Sequence, residues 1–125
     1  MGIPGRRRAM LAALLLPAAL LASGCHSYHV DATVENRTGG PIKLLEVDYP
    51  SASFGTDLLA NGADMHYRFQ IIGGGPLKLQ YTAPDEHLVK ITGPKLAERQ
   101  QGRFQIVLLP AGKAEFHSEL TPPAA

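Results

Sequence analysis

The chain has 125 residues, with 12 Lys+Arg, 11 Asp+Glu and a single cysteine. That length accommodates one domain beyond any targeting segment, and one cysteine excludes an internal disulfide framework. A formal net charge of +1 lacks the basic excess that nucleic-acid binding requires, so no nucleic acid is expected among the partners.

In chain order, Arg6, Arg7 and Arg8 precede an apolar run from Ala9 to Leu21, and small Ser23 and Gly24 stand directly before Cys25. A positive segment, a short apolar stretch and small residues at the cleavage point are the layout of a removable export signal. The run covers 13 residues and contains Pro17, whereas a spanning helix needs about 20 apolar residues. Leu20-Leu21-Ala22-Ser23-Gly24-Cys25 resembles the lipobox of bacterial lipoproteins, with Ala22 where the commonest form has Leu. The resemblance implies cleavage between Gly24 and Cys25, removal of the signal peptide 1–24, a diacylglycerol on the Cys25 thiol and a further acyl chain, such as palmitate, on its amino group. Several chains at about 0.8 kcal/mol per buried CH₂ hold a protein on a membrane, where one chain binds only marginally. By the same resemblance, His26 instead of an inner-membrane-retaining Asp implies the outer membrane, with the domain facing the periplasm. Residues 25–27 form the anchor and a short tether. From Cys25 onward, nine basic residues face eleven acidic ones, a net −2 that argues against a polybasic lipid-binding surface.

The mature domain, 28–120, is dominated by a period of two, the signature of strands with one buried and one wet face. Tyr28, Val30, Ala32 and Val34 point inward from the first. Asn36-Arg37-Thr38-Gly39-Gly40-Pro41 is a run of turn-formers. Its glycosylation sequon, Asn36-Arg37-Thr38, reads as turn chemistry. A second strand spans Ile42 to Tyr49, where a phase shift at Leu44-Leu45 signals a bulge. Ser51 to Asp64 reads as irregular, with Phe54, Leu58 and Leu59 as core plugs. Met65, Tyr67, Phe69 and Ile71 face inward from a third strand, which Gly73-Gly74-Gly75-Pro76 breaks. Leu77 to Thr82 is a fourth strand, Pro84-Asp85-Glu86 a turn, and Leu88 to Thr92 a fifth strand ended by Gly93-Pro94. Lys95 to Gln101 is a helical turn or loop. Phe104 to Leu109, apolar on both faces at its end, is a central strand, and Pro110 to Lys113 turns it into a last strand, Ala114 to Leu120. Residues 121–125 are a disordered tail. About seven short strands with no amphipathic helix predict an all-β fold, an antiparallel β-sandwich of immunoglobulin-like or similar topology.

Val34 to Ile42, with an N-x-T-G-x-x-I pattern, and Phe54-Gly55-Thr56-Asp57-Leu58-Leu59 resemble small exported bacterial β-domains. The likeness implies a sandwich and an exported location and transfers no active site.

Candidate chemistry is sparse. His66, and His117 flanked at spacing two by Glu115 and Glu119, are the candidate ligands for a divalent ion. They lack the close ligand pairs of structural zinc sites, and solvated strand-face charges account for them as well, so neither a metal nor a cofactor is expected. Ser51, Ser53 and Ser118 lie in no nucleophile elbow, and Gly73-Gly74-Gly75 lacks the Lys and helix of a phosphate cradle. Tyr28, Tyr49, Tyr67 and Tyr81 all fall on inward positions, which argues against a carbohydrate-binding face. The expectation is a lipid-anchored, non-enzymatic envelope protein that binds or tethers an envelope protein partner. The competing reading is a small envelope hydrolase or metal-binding protein using His66, His117 and nearby carboxylates.

Overall fold

Alternation in Val30-Asp31-Ala32-Thr33-Val34-Glu35-Asn36 places Val30, Ala32, Val34 and Asn36 on one buried face, and this segment is β1, Val30–Asn36. The computed structural model describes residues 28–123. Residues 1–24, with Gly24, read above as a signal peptide, and residues 25–27, with Cys25, read as the anchor and tether, lie outside the described residues. The remaining strands are β2 (Ile42–Tyr49), β3 (Ala52–Leu59), β4 (Asp64–Phe69), β5 (Gly75–Thr82), β6 (Leu88–Leu96), β7 (Gly102–Leu109) and β8 (Lys113–Leu120).

They form two four-stranded sheets, ordered β4-β1-β7-β8 and β3-β2-β5-β6. The fold is therefore a β-sandwich. All strand pairs are antiparallel except β1 with β7, which run parallel in register Val30↔Gly102 to Asn36↔Leu108. The immunoglobulin order keeps the first two strands in one sheet, whereas here β1 and β2 lie in different sheets. Val30, Val34, Phe104, Ile106 and Leu108 from one sheet meet Ile42, Val47, Leu77, Leu79 and Tyr81 from the other in the core.

Four local readings of the sequence need correction. The segment read as irregular contains β3, an eighth strand paired with β2 from Ile42↔Leu59 to Tyr49↔Ala52. Its alternation is masked by Gly55, where a methyl group would run into the Leu45 carbonyl. Phe54 and Leu59 are buried there, but Leu58 faces solvent. Second, β6 continues through Gly93-Pro94. A register shift against β5 absorbs them, and an edge strand tolerates a proline with no N–H to offer. Third, Tyr28 precedes β1 and Tyr67 lies on the edge strand β4; both are 40% exposed. Fourth, Thr121 is not loose: its amide donates to the Gln101 carbonyl at 2.9 Å, and its Oγ1 accepts from the Gln101 amide at 3.1 Å. The bulge at Leu44-Leu45 is as read, with the register shift falling between Lys43 and Glu46 and Leu44 at φ 51°.

Asn36 closes the end of β1. Its side chain is fully buried, and Nδ2 donates to the carbonyls of Gly40, Leu59 and Ala60 at 2.9, 3.0 and 3.1 Å. Oδ1 accepts from the Thr38 amide at 3.1 Å and from the Thr38 hydroxyl at 2.7 Å. One carboxamide thus pins the β1–β2 loop to the end of β3. A buried polar group left without its partner costs about 1–3 kcal/mol, and Asn36→Ala orphans several at once. The expected loss is about 3–5 kcal/mol, read as a lowered urea midpoint at unchanged slope. A loss under about 1 kcal/mol would contradict this role.

Candidate functional site

The outer face of the β4-β1-β7-β8 sheet carries the residues that the sequence marks for metal binding. Cross-strand register sets them in rows: His66, Thr33, Gln105 and His117 in one, and Arg68, Asp31, Arg103 and Glu119 in the next. His66 and His117 therefore occupy opposite edge strands, three inter-strand spacings or about 14 Å apart. One ion cannot bridge them. His66 Nδ1 shares a 3.0 Å hydrogen bond with Thr33 Oγ1. Glu115, His117 and Glu119 do share one face of β8, and His117 Nε2 lies 3.4 Å from Glu115 Oε2. Glu119, however, is drawn away by Arg103, whose Nη2 donates to it at 3.0 Å. Among the described residues, no group of three or more His, Cys, Asp or Glu side chains is placed to hold a metal ion.

A carboxylate outside the candidate set, Glu35, lies on the same face. Glu35 keeps only 15% of its side chain exposed. Gln105 Nε2 donates to its Oε1 at 2.7 Å, and Arg37 Nη2 stands 3.0 Å from Oε2. That second contact is an ion pair without hydrogen-bond geometry, which leaves Oε2 buried with no donor. The Arg68–Asp31 pair at 3.3 Å and the Arg103–Glu119 pair on this face are exposed, and such pairs contribute about 0–1 kcal/mol each.

A second feature lies at the end of the sandwich where β1, β5 and β7 finish. The β1–β2 loop, the β5–β6 turn and the β7–β8 turn surround a cleft of about 480 Å³, lined by Thr38, Tyr81, Asp85, His87, Val89 and Pro110 among others. The β5–β6 turn closes through Glu86 N to Ala83 O at 2.9 Å and Ala83 N to His87 O at 2.8 Å. Asp85 is a turn-forming Asx residue that accepts from the His87 amide at 3.3 Å and from His87 Nδ1 at 2.9 Å. The side-chain hydrogen bond is the main cause of both resulting shifts: it holds the Asp85 carboxyl below the usual range and the His87 imidazolium above it. Burial pushes the Tyr81 phenol up, with Asp85 adding repulsion. The Thr38 hydroxyl in the cleft is committed to Asn36 Oδ1 and the Gly40 carbonyl. Ser51 lies at the opposite end, donating to the Gln70 carbonyl and accepting from the Ile72 amide.

No family model matches this chain, and neither curated proteins nor solved structures give a significant match.

The tyrosines divide three ways. Tyr81 is buried, Tyr49 half-buried, and Tyr28 and Tyr67 exposed, so the inward placement of all four does not hold. Tyr67 stacks on Phe54 at 4.5 Å and Tyr49 on Phe69 at 4.1 Å. Phe54 belongs to one sheet and Tyr67 and Phe69 to the other. Stacking of these rings closes the sandwich along the β3–β4 edge, and each aromatic pair adds about 0.5–1.5 kcal/mol beyond area burial.

The Asp85–His87 pair gives a direct test of the turn. Because folding favours His87 protonation, the pair contributes fully below the unfolded histidine pKa of 6.5 and is lost as pH rises through the higher folded value. At the acid end, its contribution is lost as pH falls through the lowered Asp85 value. In an NMR titration of the imidazole protons, His87 should titrate above 6.5, and Asp85→Asn should return it toward that value. An unchanged midpoint in the variant would show that the pair is not formed.

Proposed function

We propose that this chain is a lipid-anchored protein of the bacterial cell envelope whose β-sandwich binds or tethers another envelope component without catalysing a reaction. The observation that carries the reading is the segment from Arg6 to Cys25: a positive start, a 13-residue apolar run, and Leu20-Leu21-Ala22-Ser23-Gly24 before the only cysteine. Cleavage before Cys25 and acylation there give a mature chain held by lipid, and His26 at the next position favours the outer membrane.

The fold gives this anchor a geometric consequence. β1 starts at Val30, so five residue steps separate it from Cys25, at most about 17 Å of extended chain. Strands of eight residues add about 27 Å. The cleft at the far end then stands no more than about 45 Å from the lipid headgroups, and any partner must meet the domain within that layer. Confinement of this kind raises the effective concentration of two membrane-bound partners for each other. The edge strands β3, β4, β6 and β8 and the far-end turns supply the contact surfaces.

Labelled palmitate fed to a double-membraned bacterium expressing the chain tests the anchor. Wild type should take up label and sediment with the outer membrane; Cys25→Ser should lose the label, and His26→Asp should keep it but move to the inner membrane. Wild type that takes up no label contradicts the reading.

A further inference from the structure

We infer that the end of the sandwich from which the chain runs back to Cys25 is itself a bilayer-contacting surface, with Ile72 and Tyr28 seated at the boundary between headgroups and acyl chains. This inference rests on the lipid anchor proposed above. Strand direction identifies the surface. β1 begins there, its antiparallel partner β4 finishes there at Phe69, and the parallel strand β7 begins there at Gly102. The β4–β5 loop, the β2–β3 turn and the β6–β7 loop therefore share the anchored end.

This end carries apolar side chains in the open. Ile72 is 64% exposed and Tyr28 40% exposed, although Ile71, next to Ile72 in the chain, is buried in the core. The loop that presents Ile72 is held from several sides. Its amide donates to Ser51 Oγ at 3.4 Å, the Ser51 hydroxyl donates to the Gln70 carbonyl at 3.3 Å, and the Arg99 amide donates to the Ile71 carbonyl at 3.4 Å. Beside Tyr28, the Gly102 amide fixes the His29 carbonyl at 3.1 Å. The apolar tip is thus presented on a braced frame, and its insertion requires little ordering of the loop.

What covers the tip follows from the chain length. Tyr28 lies three residues beyond Cys25, at most about 11 Å away along extended chain, so an anchor buried in the membrane brings this end against the headgroups. Tyrosine is suited to that level, where its ring is half in hydrocarbon and its hydroxyl stays wet. The charged side chains at this end are mixed in sign: Lys95 lies opposite Pro76, Arg99 bonds the Ile71 carbonyl next to Glu98 in the chain, and Asp31, Arg68 and Glu119 lie around His29 and Gly102, so they offer no net repulsion from an anionic headgroup layer. The exposed Leu88, by contrast, pairs with Thr82 at the far end of the sandwich.

The chain contains no tryptophan, so a single introduced indole reports its own depth. Full-length Ile72→Trp and Leu88→Trp proteins, isolated from membranes and checked for acylation by intact mass, would be reconstituted into phosphatidylethanolamine–phosphatidylglycerol vesicles with or without brominated acyl chains. Ile72→Trp should be quenched at least twofold by bromine and blue-shifted, while Leu88→Trp emission should be unchanged. Acylated, vesicle-bound protein in which both sites are quenched equally, or neither is, overturns the docking while leaving the anchor in place. Protein that carries no lipid and does not float with the vesicles overturns the anchor and the docking together.

Discussion

Where a strand ends inside a sandwich, the surrounding backbone groups must find partners away from water, and at Asn36 one carboxamide serves three stretches of chain. Its amide nitrogen faces the Gly40, Leu59 and Ala60 carbonyls and its oxygen takes both donors of Thr38. The backbone around it is tied in as well, with Asn36 N bonded to Ala63 O, Gly62 N to Asn36 O and Arg37 N to Leu108 O. Through these bonds the end of β1 fixes the crossing to β2, the turn between β3 and β4, and the end of β7. The far-end cleft inherits its shape from the same bonds, because Thr38 lines it.

A second constraint is the bulge in β2. Leu44 adopts φ 51°, a region that non-glycine residues enter infrequently, and Leu44 and Leu45 together face Tyr81 on β5. The extra residue restores Leu45 to the core and turns Leu44 outward. It also brings the Leu45 carbonyl so close to β3 that only glycine fits at position 55. The bulge and Gly55 are two sides of one packing solution, and they explain why β3 pairs well despite a sequence that does not look like a strand.

The sequence disclosed the parts of this fold whose cause is local. Alternation in β1, the phase change at Leu44-Leu45, the double-sided burial of Val107 and Leu108 in the central strand β7, and the turn residues at Asn36–Pro41 all have local signals. What it concealed depends on neighbours. β3 is a strand because β2 pairs with it; Tyr67 alternates correctly yet stays exposed because β4 lies at an edge; Pro94 is admitted to β6 because, among the described residues, that edge donates to no further strand. At the candidate sites, the spacing of Glu115, His117 and Glu119 correctly put them on one face, but Arg103 on the adjacent strand, invisible to any local pattern, claims Glu119. His66 and His117 look equivalent in sequence and are separated by the whole width of a sheet. The Asp85–His87 pair did carry a local signal, an Asx residue two positions before a histidine in a turn.

The strands also give the domain a polarity, with one end adjoining the proposed lipid anchor and the other carrying the cleft and the Asp85–His87 turn. The proposed function depends on the chemistry of Cys25. Intact-mass and N-terminal peptide mass spectrometry of the protein purified from bacterial membranes addresses that chemistry directly. The expected species begins at Cys25 and carries the added mass of a diacylglycerol and one further acyl chain. A chain that retains residues 1–24, or that begins at Cys25 with an unmodified thiol, would contradict it.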